Sequence, residues 1–383
     1  MKILHIITGL GDGGAEAVLY RLCTHDDPSR HHVISMIDGG KYGPLLQGAG
    51  VRVTCLGMSR GWISLRGLWQ LHRLIRQHKP DAMQTWMYHG DLVGGVVGRL
   101  AGCTNVFWNI RHTDLVPGAT GRSTRLVARI GALLSPFVPT GIVACAERAR
   151  TVHIEMGYDC RKLTVIHNGY DVTRFQPDMQ ARATLRQEFG VSPDTILIGL
   201  VGRWNAQKDH PNLLSAFSRL ACERKNIALL LIGAGCTLEN AELAAQVERH
   251  GLSSRVIFAG RRSDIPAVMN ALDIHVLSSS SEAFPNVVAE AMACGTPCVV
   301  TDVGDAAFIV GETGWVVPPA DPICLARALD QALEERQDQE TWQARRFAAR
   351  RRIVEIFSLE RMIEAYHQLW KSSASPKEGS AGE

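Results

Sequence analysis

The 383-residue chain lacks an apolar run of membrane-spanning length; 227–232 is among the longest and is stopped by Gly233. It lacks the layout of a secretory signal, because Met1-Lys2-Ile3 runs directly into a strand-like segment. Both absences predict a cytoplasmic protein, soluble or peripheral to the inner face of the membrane. Its 10 cysteines are scattered, with no C-x-x-C pair and no Cys/His cluster. Neither a disulfide framework nor a zinc site is therefore expected. There is no D-x-D triplet and no other run of metal ligands, so no metal is expected. Charge of one sign is also scarce: 41 Lys+Arg against 38 Asp+Glu leaves +3. With no aromatic-basic motif, nucleic acid is excluded as a partner.

What is present is the composition of a globular protein, 46% hydrophobic, long enough for two domains that each bury a core. The small net charge is unevenly spread. Residues 1–180 hold 20 Lys+Arg and 13 Asp+Glu, so the first half is basic and the remainder acidic. A basic half suits an anionic acceptor or an anionic membrane surface.

Strand-like and helix-like segments alternate along the first half. Strands are predicted at 2–8, 32–38, 51–56, 82–87, 105–111, 140–145 and 163–167. Helices are predicted at 15–24, 64–78, 89–101, 121–134 and 147–156. Such alternation predicts an open parallel sheet covered on both faces by helices, with ligands at the carboxyl ends of the strands. A charged helix and a link occupy 176–194. The alternation then restarts with strands at 195–203, 227–235 and 256–259, and helices at 212–223, 238–250 and 265–271. The fold class is therefore α/β, with two Rossmann-like, doubly wound parallel-sheet domains. Their expected bounds are 1–172 and 190–357, with helix 358–371 packing back on the first.

Two helices in the first half are basic and amphipathic. One, Trp62 to Lys79, sets Leu65, Leu68, Trp69, His72 and Ile75 against Arg66, Arg73, Arg76 and Lys79. The other, Gly121 to Phe137, sets Leu126, Ile130, Leu133 and Leu134 against Arg122, Arg125 and Arg129. Each reads either as a sheet-covering helix or as one lying on an anionic bilayer.

The first strand runs into GLGDGGAE, where Gly9, Gly11 and Gly14 have G-x-G-x-x-G spacing and Asp38 ends the next strand. That is the pattern of a dinucleotide fold and gives the alternative of a dinucleotide-dependent oxidoreductase; the same glycines also suit a tight βα turn with no ligand. Further on, NVFWNIRHTDL places Asn109, Arg111, His112 and Asp114 beyond a strand end, at the edge where ligands bind.

The most informative stretch is DIHVLSSSSEAFPNVVAEAMACGTPCVVTDVG, from Asp273 to Gly304. A strand leads through four serines and Glu282-Ala-Phe284-Pro285-Asn286 into a helix, with Asn286 as its expected N-cap. Glu290 lies eight residues after Glu282. Gly295 and Pro297 end the helix. A helix N-terminus at a strand tip stabilises an anion such as a diphosphate. Carboxylates there suit sugar hydroxyls instead, so the pattern fits a nucleotide-sugar. The turn GRWNAQKDH adds Gly202, Arg203 and Lys208, two cations at a strand tip that suit a diphosphate leaving group.

SSSSEAFPNVVAEAMACGTPCVVTDVG resembles the E-x(7)-E signature of the retaining GT-B glycosyltransferases of group 1, family 4. The R-x(4)-K pair at 203–208, VIHNGYDVTRF and GETGWVVPPAD resemble other family segments. The resemblance implies two facing Rossmann-like domains with the ligand in the cleft. It implies hexosyl transfer from a nucleotide-diphosphate sugar to a saccharide or lipid-linked saccharide acceptor. It further implies retention of anomeric configuration and a place in surface-polysaccharide or lipopolysaccharide synthesis. No cofactor is implied beyond the donor substrate. Arg203, Lys208, Glu282 and His112 are then the expected catalytic residues. Gly202, Arg261, Phe284, Pro285, Asn286 and Glu290 are expected to bind the donor, and Gly13 and Gly14 to approach the donor diphosphate or the acceptor. With no metal cluster in the sequence, the charge would be neutralised by Arg203, Lys208 and the helix N-terminus near Asn286.

Overall fold

The computed structural model describes residues 1–59, 64–113 and 121–372. They form two compact units, Met1–Gly169 with the segment from Leu359 onward, and Tyr170–Ser358.

In chain order the first unit contains β1 (Ile3–Ile7), α1 (Gly14–His25), β2 (His31–Ser35), α2 (Tyr42–Gly48), β3 (Arg52–Cys55), α3 (Leu65–His78) and β4 (Ala82–Trp86). It continues with α4 (Met87–Leu100), β5 (Val106–Ile110), α5 (Arg122–Leu134), β6 (Gly141–Ala144), α6 (Glu147–Glu155) and β7 (Leu163–Val165). The seven strands form one sheet in the order β3-β2-β1-β4-β5-β6-β7, all parallel. Strand order reverses at β1 and β4, which makes their carboxyl ends the natural ligand edge. Helix α4 lies close to this sheet. A Cβ at its Gly95 would stand 2.3 Å from the Trp108 ring nitrogen, so only glycine permits the approach.

The second unit contains α7 (Met179–Glu188), β8 (Ile196–Val201), α8 (His210–Glu223), β9 (Ile227–Ile232), α9 (Ala241–Arg249), β10 (Val256–Gly260), α10 (Ile265–Ala271) and β11 (Ile274–Leu277). Next come α11 (Asn286–Ala293), β12 (Cys298–Thr301), α12 (Ala306–Val310), β13 (Trp315–Val317), α13 (Pro322–Glu335) and α14 (Gln339–Ile356). Its six parallel strands are ordered β10-β9-β8-β11-β12-β13, the same winding, with the reversal at β8 and β11. ILIGLV and IALLLI are apolar without alternation because helices cover both faces of their sheet.

The stretch 176–194, read as a link, is part of the second unit. Its helix α7 is held by arginines. Asp273 accepts from Arg182 at 2.8 Å, Arg186 at 3.2 Å and Arg336 at 3.1 Å. Arg182 also donates to the Asn270, Ala271 and Leu272 carbonyls at the end of α10. Arginines of α14 act in the same way. Arg346 donates to the Gly295 carbonyl at 2.9 Å, and Arg350 to those of Ala293, Val172 and Phe175. These cations satisfy helix C-terminal carbonyls and complement the dipole.

The last helix, α15 (Leu359–Ser372), belongs to the first unit. Its Met362, Tyr366 and Trp370 are buried in that unit's core. The Trp370 ring nitrogen donates to the Gln84 side-chain oxygen at 3.0 Å.

Two expectations about helix faces change. In α3 the core face is Gly67, Leu71 and Ile75, while Leu65 and Trp69 are 85% and 62% exposed. In α5 it is Ala128, Gly131 and Ala132, while Leu126 and Leu133 are 59% and 75% exposed. Both helices pack beside α4. Trp62 and Asp114 lie outside the described residues.

Candidate active site

The second unit concentrates charge at its strand-order reversal. After β8 the chain makes a tight turn, Gly202 to Asp209. The Asn205 side chain accepts the Lys208 N–H at 3.0 Å. Asp209 takes a left-handed φ of 46° and caps α8 by accepting the Asn212 N–H at 3.2 Å. Gly202 leaves space for the Lys208 stem, since a Cβ there would lie 3.1 Å from Lys208 Cδ. Lys208 Nζ then reaches the loop after β11 and donates to Glu282 Oε1 at 2.6 Å. The Ser279 hydroxyl donates to the same oxygen at 2.8 Å.

Neighbouring loops hold this pair in place. The Ser278 hydroxyl donates to the Lys208 carbonyl, and the Ser280 N–H to that of Gln207, both at 2.8 Å. On one side the turn after β9 abuts: Gly233 has φ 144°, and a Cβ there would come 2.1 Å from the Gly202 oxygen. On the other side Gly304, with φ 55°, lies under the Glu282 loop, where a Cβ would stand 2.5 Å from the Glu282 oxygen. Four consecutive strand tips are thus stitched together by backbone contacts. That is the preorganisation electrostatic catalysis requires.

Arg203 projects from the same turn. It is exposed and makes no hydrogen bond or ion pair with any described residue. Two imidazoles behind the turn stay neutral. Burial, then the Lys208 charge, pushes His210 down to about 4 and His275 down to about 3. The local positive charge therefore rests on Arg203 and Lys208.

Helix α11 begins at Asn286 with Pro285 in the capping position. Asn286 was expected to be the cap. It instead sits in the first turn, where its side-chain oxygen accepts the Tyr170 hydroxyl at 2.7 Å. Phe284 and Pro285 are buried, and the Phe284 ring stands edge-on to Phe357 at 5.7 Å. Phe284 thus offers its backbone, not its ring, at this loop. Glu290 is half-buried one turn into α11. Burial, then the Glu290 charge, raises the Cys294 thiol to about 12. Arg261 follows β10 and is exposed, while its neighbour Arg262 is held by Glu188 and Asp264, each at 2.6 Å.

In the first unit, Gly13 caps α1 and Gly14 begins it. The Glu16 carboxylate folds back over this N-terminus, so that a Cβ at Gly13 would stand 2.4 Å from Glu16 Oε2. Burial raises the Glu16 carboxyl. A dinucleotide diphosphate would need the place this acid occupies. Asp38 accepts the Gly40 N–H at 3.1 Å and so shapes its own turn. The comparisons below do not support the dinucleotide reading of Gly9, Gly11, Gly14 and Asp38.

His112 lies two residues beyond β5 and stacks on Tyr88 with centroids 5.8 Å apart and planes at 15°. His112 is exposed to solvent, and partial desolvation by the protein around it lowers its pKa from the ordinary value. The Tyr88 hydroxyl meets His153 Nε2 at 2.6 Å. Neither Tyr88 nor His153 was singled out in the sequence. Each sits on a helix at apolar spacing, and only the fold brings them beside His112.

One group among the described residues brings metal-ligating atoms together: His5, Cys23 and His31, all buried. Hydrogen bonding gives it another role. Trp86 can only donate, and it donates to His5 Nδ1 at 3.2 Å. His5 must then hold its proton on Nε2 and donate to His31 Nδ1 at 2.9 Å. His31 in turn donates from Nε2 to Asp26 Oδ2 at 3.0 Å, an oxygen that also accepts from His367 at 2.6 Å. The chain ties α15 to the sheet, and a metal at His5 Nε2 would have to displace its proton.

Two doubly wound domains with paired acids and paired cations at a strand-order reversal define the nucleotide-sugar class of GT-B fold. Comparison with known proteins agrees. The model for glycosyl transferases group 1 matches residues 195–335. That for glycosyltransferase family 4 matches residues 12–174. The 2-deoxystreptamine glucosyltransferase of Streptomyces kanamyceticus is 30% identical over 307 residues, 74% of this chain and 76% of its own. An Escherichia coli enzyme, UDP-Gal:alpha-D-GlcNAc-diphosphoundecaprenol alpha-1,3-galactosyltransferase, is 25% identical over 243 residues, 62% of each chain. Among solved structures, Anabaena HepE in complex with UDP has a TM-score of 0.85 at 24% identity, covering 97% of this chain and 100% of its own. The chain belongs to the group 1, family 4 glycosyltransferases.

Proposed function

We propose that this glycosyltransferase moves a hexose from a nucleoside-diphosphate sugar to a saccharide acceptor, with retention at the anomeric carbon and without a metal. The observation that carries the reading is the Lys208–Glu282 pair at 2.6 Å, beside the exposed Arg203 at the strand-order reversal. In this reading the donor diphosphate takes Lys208 and Arg203, whose charges oppose the negative charge that grows as the glycosidic bond breaks. Glu282, released from Lys208, accepts hydroxyls of the transferred sugar. Glu290 accepts ribose hydroxyls, and the N-terminus of α11, preceded by Phe284 and Pro285 and beginning at Asn286, faces the phosphates beside the Gly202 turn. The side chain of Arg261 borders the base. His112 is assigned to the transferred sugar.

Gly13 and Gly14, with Glu16 folded over them, suit acceptor hydroxyls better than a phosphate. HepE was solved with UDP, which favours uracil as the base. The Escherichia coli relative acts on a diphosphoundecaprenol-linked sugar, which favours a lipid-linked acceptor in surface-polysaccharide synthesis.

A lipid-linked acceptor calls for contact with a membrane. No helix among the described residues is long and apolar enough to cross one. The exposed Leu65 and Trp69 of α3 and Leu126 and Leu133 of α5 instead stand among arginines. We assign these two helices to the anionic cytoplasmic face.

A panel of nucleotide-sugars, read for transfer and for product stereochemistry with and without EDTA, tests the proposal. Retained configuration and activity in excess chelator are expected. Inverted product, or activity lost to EDTA and restored by magnesium or manganese, would overturn the mechanism.

A further inference from the structure

His112 lies two residues beyond the end of β5, and among the described residues its ring stacks on Tyr88. The fold supplies support from behind. Tyr88 enters α4 through Met87, a non-glycine residue with a left-handed φ of 65°. Such strain persists only where the surroundings impose it, and it concentrates at functional edges. Tyr88 is 3% exposed, and its ring stacks on His112.

The Tyr88 hydroxyl is locked in turn. His153 Nδ1 faces the Ala149 carbonyl at 2.6 Å, so that nitrogen carries the proton. His153 Nε2 is then an acceptor, and Tyr88 donates to it at 2.6 Å. Burial holds His153 down to about 4, so the acceptor persists over the neutral range. Tyr158 closes the stack. Its ring stands edge-on to His153 at 5.2 Å, and its hydroxyl donates to the Ala128 carbonyl at 3.0 Å. The order from inside outward is α5, Tyr158, His153, Tyr88, His112.

We propose that Tyr88 and His153 are positioning residues for His112: the hydroxyl–imidazole bond fixes the Tyr88 ring, and that ring fixes the plane in which His112 meets the transferred sugar. The inference rests on the assignment of His112 to that sugar. Small misplacements of a group at a reacting centre cost rate more than affinity, because the geometry matters most in the transition state.

Tyr88→Phe keeps the ring and removes its anchor. His153→Leu removes the acceptor, while His153→Gln restores one through its amide oxygen. With wild-type unfolding midpoints, Tyr88→Phe and His153→Leu should lower kcat roughly tenfold with donor KM nearly unchanged, as a small misplacement does. His153→Gln should recover most of the loss. In a His112→Ala background, Tyr88→Phe should cost nothing further, because coupled residues are non-additive. Relaxation of the His112 ring by NMR should show greater mobility in Tyr88→Phe and His153→Leu. Equal losses with and without His112, or an unchanged His112 ring, would overturn the proposal. If the wild type transfers no sugar in the donor panel, the assignment of function fails, and ring mobility still decides whether the clamp exists.

Discussion

Lys208 and Glu282 meet at 2.6 Å across 74 residues of sequence, each about one-sixth exposed. The cation and the carboxylate neutralise each other. A diphosphate that draws Lys208 away also frees Glu282 for a hydroxyl. On the proposed assignment, binding of phosphate and binding of sugar are linked through one ion pair.

Lys208→Ala should lower kcat by about 10²-fold or more, the usual cost of removing one electrostatic stabiliser of a transition state. Donor binding should weaken less than kcat falls. Arg203→Ala should act in the same direction. A folded Arg203→Ala, Lys208→Ala double variant with near-wild-type transfer would mean that the diphosphate is neutralised elsewhere.

Glu290 is assigned to ribose hydroxyls, which change little during reaction. Glu290→Gln should therefore raise donor KM and leave kcat nearly as it was, the mark of uniform binding. Calorimetric titration of the nucleoside diphosphate alone checks this without turnover. A fall in kcat at unchanged affinity would move Glu290 from binding to chemistry.

The two basic helices give a prediction about surfaces. Binding to anionic vesicles should exceed binding to neutral ones and fall as salt rises, since exposed charges are screened over about 8 Å at physiological ionic strength. A Trp69→Ala, Leu133→Ala variant should bind less because both side chains are exposed. Equal partition onto neutral and anionic vesicles counts against the assignment.

Most of the strands and helices were legible in the sequence. Buried parallel strands read as unbroken apolar runs, and glycines mark their ends. Arg203, Lys208 and Glu282 were placed for a similar reason: each follows a strand tip, with Glu290 one turn into the helix beyond. Helix faces were less so. In α3, Leu65 and Trp69 fall at core spacing, yet Gly67 is on the buried face, and a glycine carries no hydrophobic signal. α2 and α12 are short and escaped notice. The Asn286 cap failed because Pro285 shifts the helix start by one residue. Tyr88 and His153 escaped because their partnership spans 65 residues, and no local pattern encodes it.

The buried histidines give the last prediction, on acid stability. His32, His153 and His210 are pushed down to about 4 and His275 to about 3, all chiefly by burial; His5 and His31 are lowered too. In the unfolded chain these groups return to about 6.5. Between pH 6.5 and about 4 the unfolded state therefore binds protons that the folded state refuses, and stability falls as pH falls, by about 1.4 kcal/mol per pH unit per proton. Asp26 acts in a different window. Burial would raise its carboxyl, but the His367 hydrogen bond and other contacts hold it below the ordinary value, so its contribution is lost only as pH drops below about 3.8. His275 isolates the effect, because both its ring nitrogens are buried without a partner among the described residues. His275→Leu, of similar volume, removes two unsatisfied groups and should be neutral or stabilising at pH 7.5. At pH 5 the variant should gain on wild type by roughly 2 kcal/mol, because it has no proton to take up on unfolding. Urea unfolding midpoints of both proteins at pH 7.5, 6.5, 5.5 and 5 give the two slopes. A wild-type midpoint flat across that range, or a variant slope equal to the wild-type slope, would show that burial of these imidazoles does not set the acid limit.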